Sequence, residues 1–173
     1  MRILTLIFII IFQQGILMAQ TLYDFTIQDV DGKVINLKDF EGKPILLVNT
    51  ASRCGFTKQY TNLANLYQEY LEKDLIIIGT PSNSFNQELA SEEEVKEFCL
   101  VNYNTKFILT EIIEVKGPNV HPVYGWLKDN YSQTPKWNFY KYLFNGKGEL
   151  VDSWSSMTSP DSKKITKKID QLI

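Results

Sequence analysis

Two short apolar runs with a helical pattern between them constrain the fold of this chain more than any other feature. The runs are PILLVNT, residues 44–50, and LIIIGT, residues 75–80. Continuous apolar runs of this length are typical of strands that are covered on both faces. Between them, apolar and aromatic residues recur at helical spacing, at Phe56, Tyr60, Leu63, Leu66, Tyr67 and Tyr70. This order predicts a buried strand, a helix with one buried face and a second buried strand.

Two hairpins and one further strand are predicted outside this unit. Residues 23–43 have short alternating patterns joined at Asp31 and Gly32, a dipeptide that accepts the positive φ angles of tight turns. Residues 137–155 have the pattern of a second hairpin that turns at residues 145–148. Residues 106–115, KFILTEIIEV, are strand-like.

Three further helices are predicted from their start signals. Ser91 and Glu94 have the spacing of a capping box and open an acidic first turn. Pro122 lies in the first turn of a short helix. Ser159 followed by Pro160 predicts the cap and first residue of a C-terminal helix. The predicted apolar face of that helix consists of Ile165, Ile169, Leu172 and Ile173.

These patterns predict a single α/β domain with a central mixed β-sheet flanked by helices and an N-terminal β-hairpin. A chain of 173 residues is long enough to bury a substantial core. The formal net charge of −2, from 18 basic and 20 acidic residues, does not indicate a nucleic-acid partner. Two cysteines and one histidine are too few for a zinc site built from those residue types, so we expect no metal.

The first twenty residues differ from the rest of the chain. Arg2 precedes the apolar stretch ILTLIFIIIF, and small and polar residues follow it up to Ala19. These are the features of a signal peptide, whereas a membrane-spanning helix needs roughly 20 apolar residues without the interruption by Gln13 and Gln14. We therefore expect residues 1–20 to be a cleaved signal peptide and residues 21–173 to form the domain, exported to the periplasm or secreted, with no membrane span after cleavage. An uncleaved anchor is the alternative.

Cys54 follows the first buried strand at the point where the helical pattern begins. Such a position lies at the carboxyl edge of the sheet, where α/β folds usually place their sites. Backbone N–H groups and the helix dipole stabilise a thiolate there, and Arg53 adds a positive charge. Cys54 is therefore a candidate nucleophile, and a small buried core cysteine is the alternative. Thr57 stands where a CxxC pair has its second thiol, which disfavours general disulfide exchange.

The segments VNTASRCGFTKQY, NSFNQE, HPVYGWL and KWNFYKYL resemble, in order and approximate spacing, signature segments of the glutathione peroxidase family. The resemblance extends from about Tyr23 to Ile173. It implies a thioredoxin-like fold and a peroxidatic thiol at Cys54. We expect no cofactor, and we expect the Cys54 sulfur to be exposed to oxidants at the edge of the sheet. The resemblance also implies that Trp137 and Asn138 donate hydrogen bonds to the sulfur or to the departing peroxide oxygen. Neighbours in a regular strand point to opposite faces, so the backbone must be irregular there.

One family position differs in this chain. The family's PCNQFG corresponds to PSNSFN, which places Ser84 at the position of the family glutamine, while Gln87 matches a glutamine further along the pattern. A serine hydroxyl can donate a hydrogen bond, but its side chain is shorter. Losing one such hydrogen bond costs about 1–3 kcal/mol. We expect weakened catalysis rather than its loss.

Cys99 follows the capping box at Ser91. It shares one helical face with Val95 and Phe98, as a packed core cysteine does. The resemblance implies the alternative role of a resolving thiol that attacks a Cys54 sulfenic acid and forms a disulfide. The segment EFC is one residue out of register with the family pattern, about 100° around a helix, so this role requires local unwinding.

The sequence thus predicts a thiol peroxidase that reduces hydrogen peroxide or organic and lipid hydroperoxides. Its expected reductant is a thioredoxin-like protein or glutathione, and export favours the former. The short segment between HPVYGWLKDN and WNF resembles the smaller, monomeric family members. Because Ser84 replaces the glutamine, a weakly active or non-catalytic redox sensor or binding module is the alternative. A hydrolase using Cys54 and His121 is disfavoured, because no acyl-binding feature is present.

Overall fold

The computed structural model describes residues 19–173, which form a five-stranded sheet with helices on both faces and a separate two-stranded hairpin. The strands are β1 Thr26–Gln28, β2 Val34–Asn36, β3 Ile45–Thr50, β4 Ile76–Pro81, β5 Ile108–Leu109, β6 Lys141–Phe144 and β7 Leu150–Trp154. The α-helices are α1 Gln59–Tyr70, α2 Glu92–Tyr103, α3 Pro122–Tyr131 and α4 Lys163–Ile169. Short 3-10 helical turns lie at Leu22–Asp24, Leu37–Phe40 and Leu71–Lys73.

The sheet is mixed, as predicted, with the strand order β5-β4-β3-β6-β7. Strand β4 pairs in parallel with β3 and β5, whereas β6 pairs antiparallel with β3 and β7. Strands β1 and β2 form the predicted N-terminal hairpin. Gly32 adopts a φ of 78° near its turn, a conformation that favours glycine because a Cβ is strained there.

Strand β3 lies at the centre of the sheet and is buried along its whole length. Leu46 and Val48 pack into one core with residues of α1, α2 and α4. Ile45 and Leu47 pack into a second core with residues of α3 and the hairpin. This alternation places a hydrophobic core on each face of the sheet. The predicted strand covered on both faces is confirmed.

Two elements are shorter than predicted. Helix α1 begins at Gln59 rather than near Phe56, because the preceding residues form hydrogen-bonded turns. Residues 106–115 contribute only the two-residue edge strand β5, and beyond it Thr110 forms a single isolated bridge with Asp29. The segment is therefore mostly extended chain without a continuous strand partner.

The predicted start of the C-terminal helix at Ser159 is wrong. The Ser159 hydroxyl donates a hydrogen bond to Asp161, and its carbonyl accepts the N–H of Ser162 at 3.1 Å. Residues 159–162 are thus occupied by a turn, and α4 begins after it. The predicted apolar face is buried at Ile165 and Ile169, partly buried at Leu172 and exposed at Ile173.

The starts of α2 and α3 agree with the sequence. The Ser91 hydroxyl accepts the N–H of Glu94 at 3.3 Å, and the Glu94 carboxylate accepts the N–H of Ala90 at 3.0 Å. At α3 a proline occupies the first turn, as predicted, and the His121 Nδ1 accepts the N–H of Val123 at 3.3 Å. His121 therefore caps a helix, as the helix start predicted at this segment requires.

Residues 1–18 lie outside the described part of the chain, so the signal peptide over residues 1–20 stays a prediction. None of the helices in residues 19–173 combines the length and the apolar composition that crossing a membrane requires.

Candidate active site

Cys54 lies in the turn that joins β3, which ends at Thr50, to α1, which begins at Gln59. Its position beyond the carboxyl end of β3 is the predicted one. Its side chain is only 8% exposed, however, so the prediction of a sulfur open to oxidants is corrected to a nearly buried one. The Sγ atom accepts the backbone N–H of Phe56 at 3.4 Å. The thiol is thus contacted by a turn amide rather than by the first turn of α1.

Thr57 closes this turn. Its Oγ1 accepts the Cys54 N–H at 2.9 Å, and it lies 2.7 Å from the Cys54 carbonyl oxygen and 2.9 Å from that of Ala51. The Thr57 N–H also donates to the Cys54 carbonyl at 3.0 Å. The residue at the last position of the C-x-x-T segment therefore shapes the backbone around the thiol, which explains a hydroxyl at that place.

The loop formed by residues 82–88 is hydrogen-bonded to the Cys54 turn at two points. The Arg53 N–H donates to the Gln87 carbonyl at 2.8 Å, and the Ser52 N–H donates to the Glu88 carboxylate at 3.0 Å. Glu88 is nearly buried, and this burial raises the pKa of its carboxyl group, while hydrogen bonds and the charge of Arg53 oppose the rise. The residues before Cys54 are therefore fixed to this loop.

Asn138 is connected to the same loop. It is fully buried, and its Nδ2 donates to the Gln87 Oε1 at 3.0 Å. Its carbonyl accepts the Ser156 hydroxyl, and its Oδ1 is buried without a hydrogen-bond partner. The next residue, Phe139, has a φ of 63°, so the backbone is irregular before β6, as the sequence argument required.

Trp137 is 40% exposed, and its ring lies 5.2 Å from that of Phe85, centroid to centroid. Asn49 of β3 holds the backbone of this segment by two hydrogen bonds. Its Nδ2 donates to the Trp137 carbonyl at 3.1 Å, and its Oδ1 accepts the Tyr140 N–H at 2.9 Å. Asn49 was not identified from the sequence. An asparagine at the end of an apolar run was a detectable signal, because a carboxamide buried there, as Asn49 is, needs hydrogen-bond partners.

Ser84, at the family glutamine position, has other partners. Its hydroxyl donates to the Glu114 carboxylate at 2.5 Å and accepts the Val115 N–H at 3.0 Å. A hydroxyl has a single proton. In this conformation that proton is directed to Glu114 and away from the Asn138–Gln87 pair.

Cys99 is fully buried on α2, on the face that it shares with buried Val95 and partly buried Phe98, as predicted. Both cysteines are free thiols. Burial raises the pKa of the Cys99 thiol to about 12, and the neighbouring Tyr60 hydroxyl partly opposes this rise. In this conformation Cys99 is therefore a protonated thiol at neutral pH.

A buried lysine that the sequence analysis missed links three segments near the site. Lys141 is fully buried, and its ammonium group donates to the Gln59 Oε1 at 2.5 Å and to the Thr158 carbonyl at 2.7 Å. The Gln59 Nε2 donates to the Ser156 carbonyl at 2.6 Å. Burial lowers the pKa of Lys141 to about 7. The network joins the start of α1 to β6 and to the chain that supports Asn138.

The structure therefore connects the turn that carries Cys54 to Asn138 through Gln87. The Arg53 N–H donates to the Gln87 carbonyl, and the Asn138 Nδ2 donates to the Gln87 side chain, with Trp137 adjacent to Asn138 in sequence. Ser84 and Cys99 make their contacts elsewhere. Within residues 19–173, no group of three or more His, Cys, Asp or Glu side chains is arranged to hold a metal ion. The chemistry available at this edge of the sheet is that of one thiol that accepts a turn N–H, in a turn hydrogen-bonded to the loop that contacts Asn138.

Known proteins share this arrangement of sequence and fold. Residues 22–128, more than half of the chain, match the family described as glutathione peroxidase. The chain is 44% identical over 144 residues to the glutathione peroxidase-like peroxiredoxin gpx1 of Schizosaccharomyces pombe, which covers 80% of this chain and 91% of the relative. It is 38% identical over 164 residues to the hydroperoxy fatty acid reductase gpx1 of a Synechocystis species, covering 88% and 96%. The crystal structure of Trgpx in apo form matches with a TM-score of 0.72 at 33% identity, covering 89% of this chain and 96% of that one.

These similarities confirm the thioredoxin-like fold that the sequence segments implied. They extend over the turn that carries Cys54, the loop that binds it and the helices on both faces of the sheet. The chain therefore belongs to the glutathione peroxidase family and is a peroxidase, an enzyme of the oxidoreductase class.

Proposed function

We propose that the protein reduces hydrogen peroxide and organic or lipid hydroperoxides through the Cys54 thiolate. The observation that supports this most is the pair of hydrogen bonds that joins the Cys54 turn to Gln87 and Gln87 to Asn138. It brings a carboxamide to the segment that carries the only cysteine with some solvent exposure. The name of the Synechocystis relative, a hydroperoxy fatty acid reductase, supports hydroperoxides as the substrate class.

The first step is attack of the Cys54 thiolate on a peroxide oxygen. An S–O bond forms as the O–O bond breaks, so the sulfur is oxidised to a sulfenic acid and the peroxide is reduced. The leaving oxygen takes up a proton and departs as water or an alcohol. The Trp137 indole N–H and the Asn138 amide are the donors that stabilise the charge on the sulfur and on the leaving oxygen.

The surface near the site suits an apolar substrate. Trp137 and Phe85 pack against each other and are partly exposed, and the Lys116 ammonium group lies 4.2 Å from the Phe85 ring centroid. An organic hydroperoxide can place its hydrocarbon portion on these rings, where apolar area leaves water. This surface favours hydroperoxides that carry an apolar group.

The second step is resolution by Cys99. Its thiol sulfur attacks the Cys54 sulfenic acid, an S–S bond forms and the S–O bond breaks, and the oxygen leaves as water. Because Cys99 is fully buried and its pKa is raised to about 12, α2 must first open locally so that the thiol can ionise and move. The resulting disulfide is reduced by a dithiol protein of the thioredoxin type, or by glutathione in the alternative.

The cellular setting follows from the sequence. We propose that the protein acts as a monomer and that residues 1–20 direct its export to the periplasm or outside the cell. An extracytoplasmic thioredoxin-like protein is then the partner that supplies electrons.

A redox sensor is the second candidate function. Two observations favour it: the Cys54 side chain is only 8% exposed, and the Ser84 hydroxyl is bonded to Glu114. In this case Cys54 is oxidised slowly, and its disulfide with Cys99 passes the signal to a partner.

Peroxide consumption with a reduced thioredoxin separates the two functions. We expect repeated turnovers for the wild type, none above background for Cys54→Ser, and a single turnover per chain for Cys99→Ser. Intact-protein mass spectrometry after one equivalent of peroxide should show a loss of about two daltons, for the two hydrogens of a disulfide. Oxidation that stops after one slow equivalent in the wild type would instead identify a sensor.

A further inference from the structure

We propose that Gln87 is a positioning residue of this active site, which orients the Asn138 carboxamide by accepting one of its N–H bonds. The proposal rests on the peroxidase function above, and it gives the glutamine at position 87 a different role from the one expected at position 84. Gln87 acts through Asn138 and through the Cys54 turn, without taking part in the bond changes itself.

The backbone of the loop directs Gln87 to the Cys54 turn. Asn86 has a φ of 56°, a conformation that asparagine tolerates better than most residues. Its N–H donates to the Asn83 carbonyl at 2.8 Å, and the Asn83 side chain accepts the Glu88 N–H at 3.2 Å. The chain therefore reverses at Asn86.

The main chain of Gln87 is fixed relative to the thiol. Its carbonyl accepts the Arg53 N–H at 2.8 Å, one residue before Cys54. The next residue, Glu88, accepts the Ser52 N–H through its carboxylate at 3.0 Å and is nearly buried. The Gln87 side chain thus extends from a backbone that is hydrogen-bonded to the Cys54 turn.

The side chain of Gln87 supplies the contact to the Asn138 carboxamide. Asn138 is fully buried, and its Nδ2 donates to the Gln87 Oε1 at 3.0 Å. A carboxamide nitrogen has two N–H bonds, so using one of them on Gln87 fixes the plane of the group and the direction of the other. The Asn138 Oδ1 is buried without a partner. In the proposal, the second N–H is the donor to the reacting sulfur, and the Oδ1 accepts an O–H group of the peroxide or of the sulfenic acid.

An unpaired buried acceptor is costly, and native structures rarely keep one without a reason. At Asn138 the proposal supplies such a reason, the O–H group of the substrate or of the sulfenic acid. Ser84 cannot replace Gln87 in this arrangement, because its hydroxyl proton is directed to Glu114. Gln87 is the side chain that the structure brings to the carboxamide.

The experiment compares wild type with Gln87→Met, which keeps the length of the side chain and removes its polar atoms. Gln133→Met is the matched control, because the Gln133 Oε1 accepts the Ser153 hydroxyl at 3.0 Å in a different part of the chain. The rate constant for oxidation of the reduced protein by hydrogen peroxide is measured by rapid quench over a range of pH. The rate of Cys54 alkylation by iodoacetamide is measured in the same samples.

We expect Gln87→Met to lower the peroxide rate constant about tenfold, the effect of one misplaced hydrogen bond. The rise of the rate with pH should shift to higher pH, and Cys54 alkylation at neutral pH should slow severalfold. Gln133→Met should change none of these. In an Asn138→Ala background, Gln87→Met should add less than about twofold, because residues that act as a unit are not additive.

Two results would overturn the proposal: Gln87→Met rates within about twofold of wild type, or a full tenfold loss that persists in the Asn138→Ala background. Failure of the proposed function has a different signature, namely equal and slow peroxide consumption by wild type and Cys54→Ser. In that case the alkylation rates still decide whether Gln87 orients Asn138.

Discussion

The two cysteines of this protein are surrounded in different ways. Cys54 lies in a turn whose shape depends on polar contacts with Phe56, Thr57 and Gln87. Cys99 lies on a regular helix, fully buried in an apolar core. A thiol held by a turn can meet an oxidant without a large rearrangement, whereas a thiol inside a helix–sheet core reacts only when the helix opens. The comparison predicts that the two thiols differ strongly in their reactivity in the folded protein.

The largest expected effect is slow alkylation of the Cys99 thiol. In the Cys54→Ser protein, Cys99 should react with iodoacetamide roughly a thousandfold more slowly than a free cysteine at pH 8, because its pKa is raised from 9.0 to about 12. Burial slows the reaction further. The rate is measured by mass spectrometry with and without denaturant, and Cys54 in the Cys99→Ser protein is the comparison. Equal rates for both thiols in the folded protein would show that α2 opens readily.

The sequence predicted those features around the two cysteines that depend on local patterns. Apolar periodicity located β3, α1 and the shared face of Val95 and Cys99, and turn dipeptides located both hairpins. Family resemblance located Cys54 and Asn138. These features depend on residues that are close together in the chain, or on sequence segments that resemble those of the family.

The features that were not predicted depend on contacts between residues that are distant in the sequence. The bond from Asn138 to Gln87 spans 51 positions, and the bond from Lys141 to Gln59 spans 82. No periodicity or local spacing encodes such pairs, so the contact of Gln87 with Asn138 was not predicted and Lys141 was missed. The exposure of Cys54 was predicted wrongly, because burial depends on packing in three dimensions, and Cys54 belongs to the core cluster that includes residues of α1, α2 and α4.

The second largest effect is expected from removing the Asn138 carboxamide, which should slow the oxidation of Cys54. Asn138→Ala should lower the rate constant for oxidation of Cys54 by about tenfold to a hundredfold, because a donor to the charged transition state is lost. The rate of Cys99 alkylation in the Cys54→Ser background should not change, because α2 makes no hydrogen bond to Asn138 among the described residues. Single-turnover quench experiments measure the first rate and mass spectrometry the second. A similar loss at both thiols would mean that the substitution loosens the whole fold.

The third prediction concerns the buried lysine Lys141 and the pH dependence of the free energy of unfolding. Its pKa is about 7 in the folded chain and 10.5 in an unfolded one, so between these pH values the unfolded chain binds an extra proton. The free energy of unfolding should therefore rise with pH over this window, by up to about 1.4 kcal/mol per pH unit from this group. Below pH 7 the lysine is protonated in both states, and its contribution becomes constant.

Lys141→Met should remove this slope, because methionine does not titrate. Lys43→Met is the control, since Lys43 is an exposed lysine paired with Asp74 on the surface. Denaturant unfolding between pH 6 and 10 in the presence of a reductant measures the slope. If wild type and Lys141→Met show the same slope, the ammonium group is hydrated rather than buried in solution.

The smallest expected effect comes from Glu88, which binds the Ser52 N–H beside the Cys54 turn. Burial raises its pKa in the folded chain, so its carboxyl group stabilises the fold at low pH and this contribution is lost as pH rises through the folded pKa. Glu88→Gln keeps an oxygen for the Ser52 and Leu89 N–H groups and removes the buried charge. Stability should then increase by on the order of 1 kcal/mol at pH 8. The gain should shrink toward pH 5, and exposed Glu97→Gln should show neither change. A loss of stability at pH 8 would mean that the charge of Arg53 outweighs the burial of Glu88, and the turn would then be held by an ion pair rather than by neutral hydrogen bonds.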